Sequence, residues 1–285
     1  MADDWEVRRQ NIKIKTLNIH MEDNPELFNK YNNVTKRDTA ESLKEYAKKI
    51  KWRSNARVLD IGSADGSVTS ILSTYIPQDY EILLGCDINS NSVKFANAQY
   101  GTERMKFFVL DIEKPIPEHL KESFDHVFSF YTLHWLTDPV MGYINIYHLL
   151  KPGGECFLVL SGKSPFYDIY HALSLTEKWA PWAKYFDTIV SPYHDCKDPD
   201  NIIFKSLKNI GFHHIDVRCK QKVFVYENTD VLKNNVASIN AFKIPKDLEK
   251  QFLEDYVEVA RDMRLINSDG AVKFAYNIII VHCFK

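Results

Sequence analysis

The chain carries almost no net charge: 36 lysines and arginines stand against 38 aspartates and glutamates, a formal balance of −2. A general electrostatic drive toward nucleic acid or an anionic membrane is therefore missing. No apolar run approaches the ~20 residues that a membrane span requires. Residues 1–20 are charged and polar, without the continuous apolar core of a secretory signal. A cytoplasmic protein with no membrane span and no nucleic-acid partner is expected. Cysteine is sparse as well. Cys86, Cys156, Cys196, Cys219 and Cys283 are odd in number, and no pair has C-x-x-C spacing. That speaks against a fully paired disulfide framework and supplies no metal-ligand set, so no metal is expected. Four of the five lie in or beside strand-like segments and are expected as buried free thiols in a reducing compartment. Repeats and low-complexity tracts are also missing.

What is present is 285 residues, 45% of them hydrophobic, enough for one large α/β domain with an elaboration. Residues 1–24 are expected as a flexible N-terminal extension, since the first patterned segment begins just after Met21. Residues 25–285 are expected as a single domain, with helical cap elements at about 25–51 and 165–210. Asn24-Pro25 supplies a cap and a first-turn proline for the first helix. Ala40, Leu43, Ala47 and Ile50 recur at helical spacing, and Tyr31 to Asp38 reads as a polar link between two helical pieces. From Arg57 the chain alternates strand-like and helix-like stretches as far as Ser161, which predicts a parallel sheet with helices on both faces. Phe166 to Asn209 is helical and aromatic-rich, carrying Trp179, Trp182, Tyr185 and Phe186. Phe212 to Tyr226 returns to β character, two amphipathic helices follow, and Phe274 to Phe284 is a last strand.

The stretch RVLDIGSADG, Arg57 to Gly66, organises the rest. It reads as a strand, a tight glycine turn and a helix whose N-terminus faces the turn. Bare glycine lets a ligand approach the backbone, and the turn's N–H groups are donors. In an open α/β sheet, ligands bind beyond the carboxyl ends of the strands. Three successive strands end at an acid: Asp60, Asp87 and Asp111. Asp87 suits a ribose diol, Asp111 an adenine amino group, and Asp60 can order the turn or water near a cation. A nicotinamide dinucleotide would use the first two equally well, but its fingerprint is G-x-G-x-x-G. Here an acid heads the turn and the glycines stand four apart, at Gly62 and Gly66. An acid would repel a pyrophosphate and tolerate a sulfonium amino acid, which favours S-adenosyl-L-methionine.

DIGSADG, CDIN, LDIE and LLKPGG, in this order, resemble the motifs of class I S-adenosylmethionine-dependent methyltransferases over about residues 56–161. A closer resemblance runs from Met21 over nearly the whole chain. LFNKYNNVTKRD, KWRSNARVLDIG, FDHVFSFYTLHW, NIYHLLKPGGE and VFVYENTDVLKNNV are similar to the insect juvenile hormone acid O-methyltransferases. The resemblance implies a Rossmann-like α/β fold with a seven-stranded, mostly parallel sheet, an antiparallel last pair and a helical cap. It implies methyl transfer to the carboxylate of juvenile hormone acid or farnesoic acid, a small apolar acid as substrate. The expected cofactor contacts are Asp60, Gly62, Ser63, Gly66, Asp87, Ile88, Asp111, Ile112 and Ser129. Trp135 of the LHW motif and Thr35 are the expected catalytic pair, holding the substrate carboxylate. His134, Tyr31, Trp179 and Trp182 are expected around the substrate, while Lys36 and Arg37 read equally as a pair that steers an acid or as a solvated helix face. Two positions depart from the family. Ala64 stands where a middle glycine is usual, and Thr35 where the family has a glutamine before its K-R-D motif. Weaker cofactor binding and less efficient methylation of the standard acid are the expected results. A paralogue acting on another lipid-like acid and a non-catalytic binding protein stay open as alternatives. The N/D-P-P-Y/F motif of nucleic-acid methyltransferases is missing after the fourth strand.

Overall fold

In the computed structural model the described residues are 24–183 and 186–285, Asp187 and Thr188 by backbone alone. Tyr185 and all of the expected N-terminal extension except Asn24 fall outside them. Seven strands, β1 (Arg57–Ile61), β2 (Ile82–Asp87), β3 (Met105–Val109), β4 (Phe124–Phe130), β5 (Leu150–Ser161), β6 (His213–Tyr226) and β7 (Val272–Phe284), form one sheet. Their order is β3-β2-β1-β4-β5-β7-β6. The first five pair in parallel, and β7 runs antiparallel between β5 and β6. Every residue of β4 is buried, because helices cover both faces of the central strands.

Helices α1 (Pro25–Tyr31), α2 (Asn33–Tyr46), α3 (Ser67–Ser73), α4 (Ser90–Tyr100) and α5 (Pro139–Leu149) come before β6 in the chain, with α6 (Pro165–Ser174), α7 (Ala180–Ala183), α8 (Phe186–Ile189) and α9 (Pro199–Ile210) following β5. After β6 come α10 (Thr229–Ile239) and α11 (Lys246–Asp262). The starts are written in the sequence: Asn24, Asn89 and Asp138 each accept backbone N–H groups of the turn they precede. Two cores result. Leu43 and Tyr46 of α2, Val68 and Leu72 of α3, and Val93 and Ala96 of α4 pack with Phe128, Phe130 and Phe157 on one face. Tyr143, Ile146 and Leu149 of α5, with Ile203 and Leu207 of α9, pack on the other. The first core continues into the cap through Tyr170, Trp179, Phe252 and Tyr256. At about 1.5–3 kcal/mol for each fully buried aromatic side chain, these four make the cap a packed layer.

Three expectations are corrected. Tyr31 to Asp38 is no polar link: only Asn32 separates α1 from α2. The inner face of α2 buries Asp38, Thr39 and Ser42, and a polar buried stripe is invisible to hydrophobic periodicity. The cap does not extend to 210, because α9 buries Ile203 and Leu207 with α5 as part of the sheet's own helical layer. Finally, only Cys86, Cys156 and Cys283 are buried; Cys196 is half-buried and Cys219 exposed on the edge strand β6. No described helix is long and apolar enough to cross a membrane, and no group of metal-ligating side chains occurs among the described residues.

Candidate active site

The loop between β1 and α3 turns through three residues in the left-handed region, Gly62 at φ 75°, Ala64 at 45° and Gly66 at 84°. The N–H groups of Gly62 and Ser63 both donate to the Cys86 carbonyl, at 2.7 and 2.9 Å, which locks the loop to the end of β2. Two glycines are required sterically. A β-carbon at position 62 would lie 2.0 Å from the Thr132 hydroxyl oxygen, and one at 66 would crowd Ala96, Phe107 and Tyr100 at about 3 Å. Ser63 is 2% exposed, and its hydroxyl has no partner among the described residues.

The carboxylates divide by environment. Asp87, the last residue of β2, is half-buried: one oxygen accepts Ala64 N–H at 2.9 Å and the other Asn89 N–H at 2.8 Å. Beside it Ile88 is an exposed aliphatic surface. Asp111 is half-buried just past β3 and accepts Glu113 N–H at 2.9 Å. Ile112 is buried, and its carbonyl accepts the Asn145 amide at 2.6 Å. Asp60 is 1% exposed and takes the Thr69 hydroxyl at 2.6 Å, tying β1 to α3. Burial, helped by the negative charge of Asp87, pushes its pKa up to about 7 against that hydrogen bond. Ser129 is buried in β4, with its hydroxyl on the Ile61 carbonyl at 2.9 Å.

The 3-10 turn Leu133–Trp135 follows β4 and carries two expected substrate contacts. His134 is 3% exposed, and its Nδ1 accepts Ser161 N–H at 3.3 Å. Burial lowers its pKa to about 3, so the ring is neutral with its proton on Nε2. Trp135 is half-buried, its ring 5.2 Å from that of His134 and 6.4 Å from that of Tyr167 on α6. Thr35 is half-buried in the first turn of α2. Trp182 is half-buried against the cap.

Trp179 is corrected. It is 1% exposed and its indole N–H donates to Asp255 on α11 at 2.9 Å, which makes it a core residue of the cap. Lys36 and Arg37 are corrected as well. Lys36 donates to the Asn29 carbonyl. Arg37 is held by Asp38, the Val223 carbonyl and the Tyr276 hydroxyl, and lies over the Phe224 ring. Tyr31 gives its carbonyl to the Asn235 amide at 2.9 Å. It is Asn29, two residues earlier on α1, that reaches the glycine loop: its amide donates to Asp65 at 2.6 Å and to the Tyr100 hydroxyl at 2.7 Å.

Sequence reasoning missed Asn29, Asp65, Thr132 and a buried cluster around Asp38. Asp65 is fully buried in the loop, and burial raises its pKa against hydrogen bonds from Ser67 and Asn29. Asp38 is also fully buried and accepts the hydroxyls of Tyr131 and Tyr276, each at 2.6 Å. Only for Asp65 was a signal at hand, an acid inside the glycine turn itself.

A family model described as a methyltransferase domain matches residues 59–158, the segment from β1 to β5. The chain is 47% identical to the juvenile hormone acid O-methyltransferase of Bombyx mori over 270 residues, covering 92% of this chain and 97% of that protein. It is 35% identical to the Drosophila melanogaster protein of the same name over 271 residues, 91% of each. Among solved structures it superposes on Haemonchus contortus phosphoethanolamine N-methyltransferase 2 in complex with S-adenosyl-L-methionine with a TM-score of 0.53. That match has 17% identity and covers 87% of this chain and 52% of the other, a likeness of fold alone.

Proposed function

The chain belongs to the juvenile hormone acid O-methyltransferase family, and on that footing we propose that it esterifies the carboxylate of a sesquiterpenoid acid, juvenile hormone acid or farnesoic acid, with S-adenosyl-L-methionine as methyl donor. The observation that carries this reading is the 47% identity that spans nearly the full length of both proteins. Of the two positions read above as departing from the family, Ala64 lies in the loop between β1 and α3 and Thr35 in the first turn of α2.

The residues of the loop fit this cofactor. Gly62 and Gly66 allow the tight turn, with Thr132 packed against one and Ala96, Phe107 and Tyr100 against the other. The unpartnered Ser63 hydroxyl is a buried group that a polar ligand atom would satisfy. Asp87, oriented by the Ala64 and Asn89 N–H groups, is the carboxylate that a ribose diol would donate to. Ile88 offers an apolar face to a purine. When bound, S-adenosylmethionine supplies an activated methyl group on a cationic sulfur.

The chain's own part is positioning. A carboxylic acid is ionised at neutral pH, so no general base is needed. Thr35 O–H and Trp135 N–H are the donors that would aim the carboxylate, and the neutral His134 would add Nε2–H. Holding two reactants in line is worth several powers of ten in rate. A dry pocket helps further, because opposite charges neutralise one another in the reaction and water would stabilise them apart. The apolar body of the acid would lie under the cap near Trp182 and Phe186, where each buried CH₂ contributes roughly 0.8 kcal/mol. A cytoplasmic location and a small apolar acid as the partner belong to the same reading.

Incubation with methyl-labelled S-adenosylmethionine and either acid tests it. Base-labile, solvent-extractable methyl ester is the expected product, and none above a no-enzyme control would sink the reading.

A further inference from the structure

The Asp38 cluster joins the two elements that bear the expected carboxylate donors. Thr35 sits in the first turn of α2, and Asp38 lies three residues on, on the same side of the helix. Asp38 accepts four hydrogen bonds. Its Oδ1 takes Arg37 Nε and Nη2 at 3.1 and 2.8 Å, and its Oδ2 takes the hydroxyls of Tyr131 and Tyr276 at 2.6 Å each. A carboxylate so saturated has one orientation.

Tyr131 is the informative partner. It is the first residue after β4 and has φ 55°, a left-handed conformation uncommon for a bulky side chain. Its N–H is fixed to the Val159 carbonyl at 2.8 Å. This turn redirects the chain from the sheet into the 3-10 turn that carries His134 and Trp135. Such strain persists only where the surroundings over-determine it. The surroundings here are the ring, 6.0 Å from that of His134, and the hydroxyl on Asp38. The other tyrosine, Tyr276, lies on β7, and its hydroxyl meets Asp38 and Arg37 of α2 rather than the 3-10 turn that carries Trp135.

We propose that Asp38 is a positioning residue for methyl transfer: by holding the Tyr131 hydroxyl it fixes Thr35 on α2 and Trp135 on the 3-10 turn at the separation that the substrate carboxylate requires. This rests on the esterification reading above. Arg37, whose sequence position suggests a surface cation that steers acids, serves the same clamp from the other carboxylate oxygen.

Two conservative variants separate positioning from mere stability. Tyr131→Phe and Tyr276→Phe each delete one hydroxyl from the same Asp38 oxygen and leave the ring in place. Tyr131→Phe should lower kcat for the acid by roughly ten- to a hundredfold, the scale of a small misplacement of reacting groups. It should also weaken binding of farnesoic acid measured by calorimetry in the presence of S-adenosylhomocysteine, while the affinity for S-adenosylhomocysteine itself holds. Tyr276→Phe, which loses the bond to Asp38 and the one from Arg37 but leaves Tyr131 on the carboxylate, should lower the unfolding midpoint and cost kcat clearly less than Tyr131→Phe does. Equal kcat losses in the two variants, or none in Tyr131→Phe, would overturn the proposal. If wild type binds the acid without turning it over, the esterification reading fails, and the clamp is then judged by acid binding alone. Unchanged binding in Tyr131→Phe refutes it, as does a wild type that binds no acid.

Discussion

Thr132 closes the glycine loop from behind: its hydroxyl donates to the Gly62 carbonyl at 3.3 Å, and its side chain fills the space a β-carbon at 62 would occupy. Gly62→Ala therefore has to push Thr132 back and strain a residue at φ 75°. Overpacking of this kind costs about 1–3 kcal/mol, or roughly ten- to a hundredfold in cofactor affinity when the loop distorts. Calorimetric titration with S-adenosylhomocysteine would read that loss, and adding Thr132→Ala should recover part of it. Full affinity in Gly62→Ala would contradict the packing.

Ala64 is the residue most easily improved. Its φ of 45° places an alanine where glycine carries no steric penalty. Ala64→Gly should raise the unfolding free energy by up to about 1 kcal/mol, the left-handed penalty less the entropy that glycine adds to the unfolded chain. It should tighten cofactor binding in step. Chemical denaturation with and without S-adenosylhomocysteine checks both. A drop in stability would mean that the loop is unstrained.

Asp60 gives the stability a pH dependence around neutrality. Its folded pKa of about 7 lies above the ordinary carboxyl value of 3.8, chiefly through burial. Folding therefore favours the protonated carboxyl, and stability present below pH 4 is lost as pH rises through 7. The whole shift corresponds to on the order of 4 kcal/mol. Asp60→Asn should remove this slope from denaturation curves taken between pH 5 and 8; an unchanged slope would assign it to another group.

Glu155 acts in the opposite direction. It is buried between His282, whose Nε2 lies 2.5 Å from Oε2, and His126, whose Nδ1 lies 3.0 Å from Oε1. Burial alone would raise its pKa, but the two imidazoles outweigh burial and bring it down to about 2. Its contribution is complete above pH 4.5 and disappears as pH falls through 2. That is about 3 kcal/mol by linkage. Acid unfolding followed by circular dichroism should be shallower in Glu155→Gln between pH 4.5 and 2, and an identical acid limb would count against the triad.

Thr35→Gln tests the departure from the family directly. A longer amide adds reach and a second polar atom in the first turn of α2. One added hydrogen bond to a carboxylate should raise kcat/KM for juvenile hormone acid roughly three- to tenfold. No gain would mean that the threonine hydroxyl already reaches the acid, or that position 35 is not in contact with it.

The glycine turn, the strand ends and the sheet could be read in the sequence because each is local: a few contiguous residues set the turn, and runs of apolar residues mark strands buried on both faces. The Asp38 clamp could not. Its tyrosines lie 93 and 238 residues away, and an acid between Arg37 and Thr39 reads as a solvated helix face. Trp179 misled for the same reason, since its partner Asp255 is 76 residues distant and only the fold brings the two together. The α9 helix reads like the cap it follows in sequence. It belongs to the other core because Ile203 and Leu207 pack with α5, a long-range contact that composition does not record.

The place of β7 between β5 and β6 has a consequence for biosynthesis. Of the seven strands it leaves the ribosome last, yet it is an interior strand of the sheet. Until it arrives, β5 presents an unpaired edge and β6, fourteen residues long, has no neighbour. Open edges of that kind recruit other chains. Arrest or proteolysis just before Val272 would therefore release an aggregation-prone species rather than a slightly shortened enzyme, with the Glu155 charge stripped of His282 at its centre.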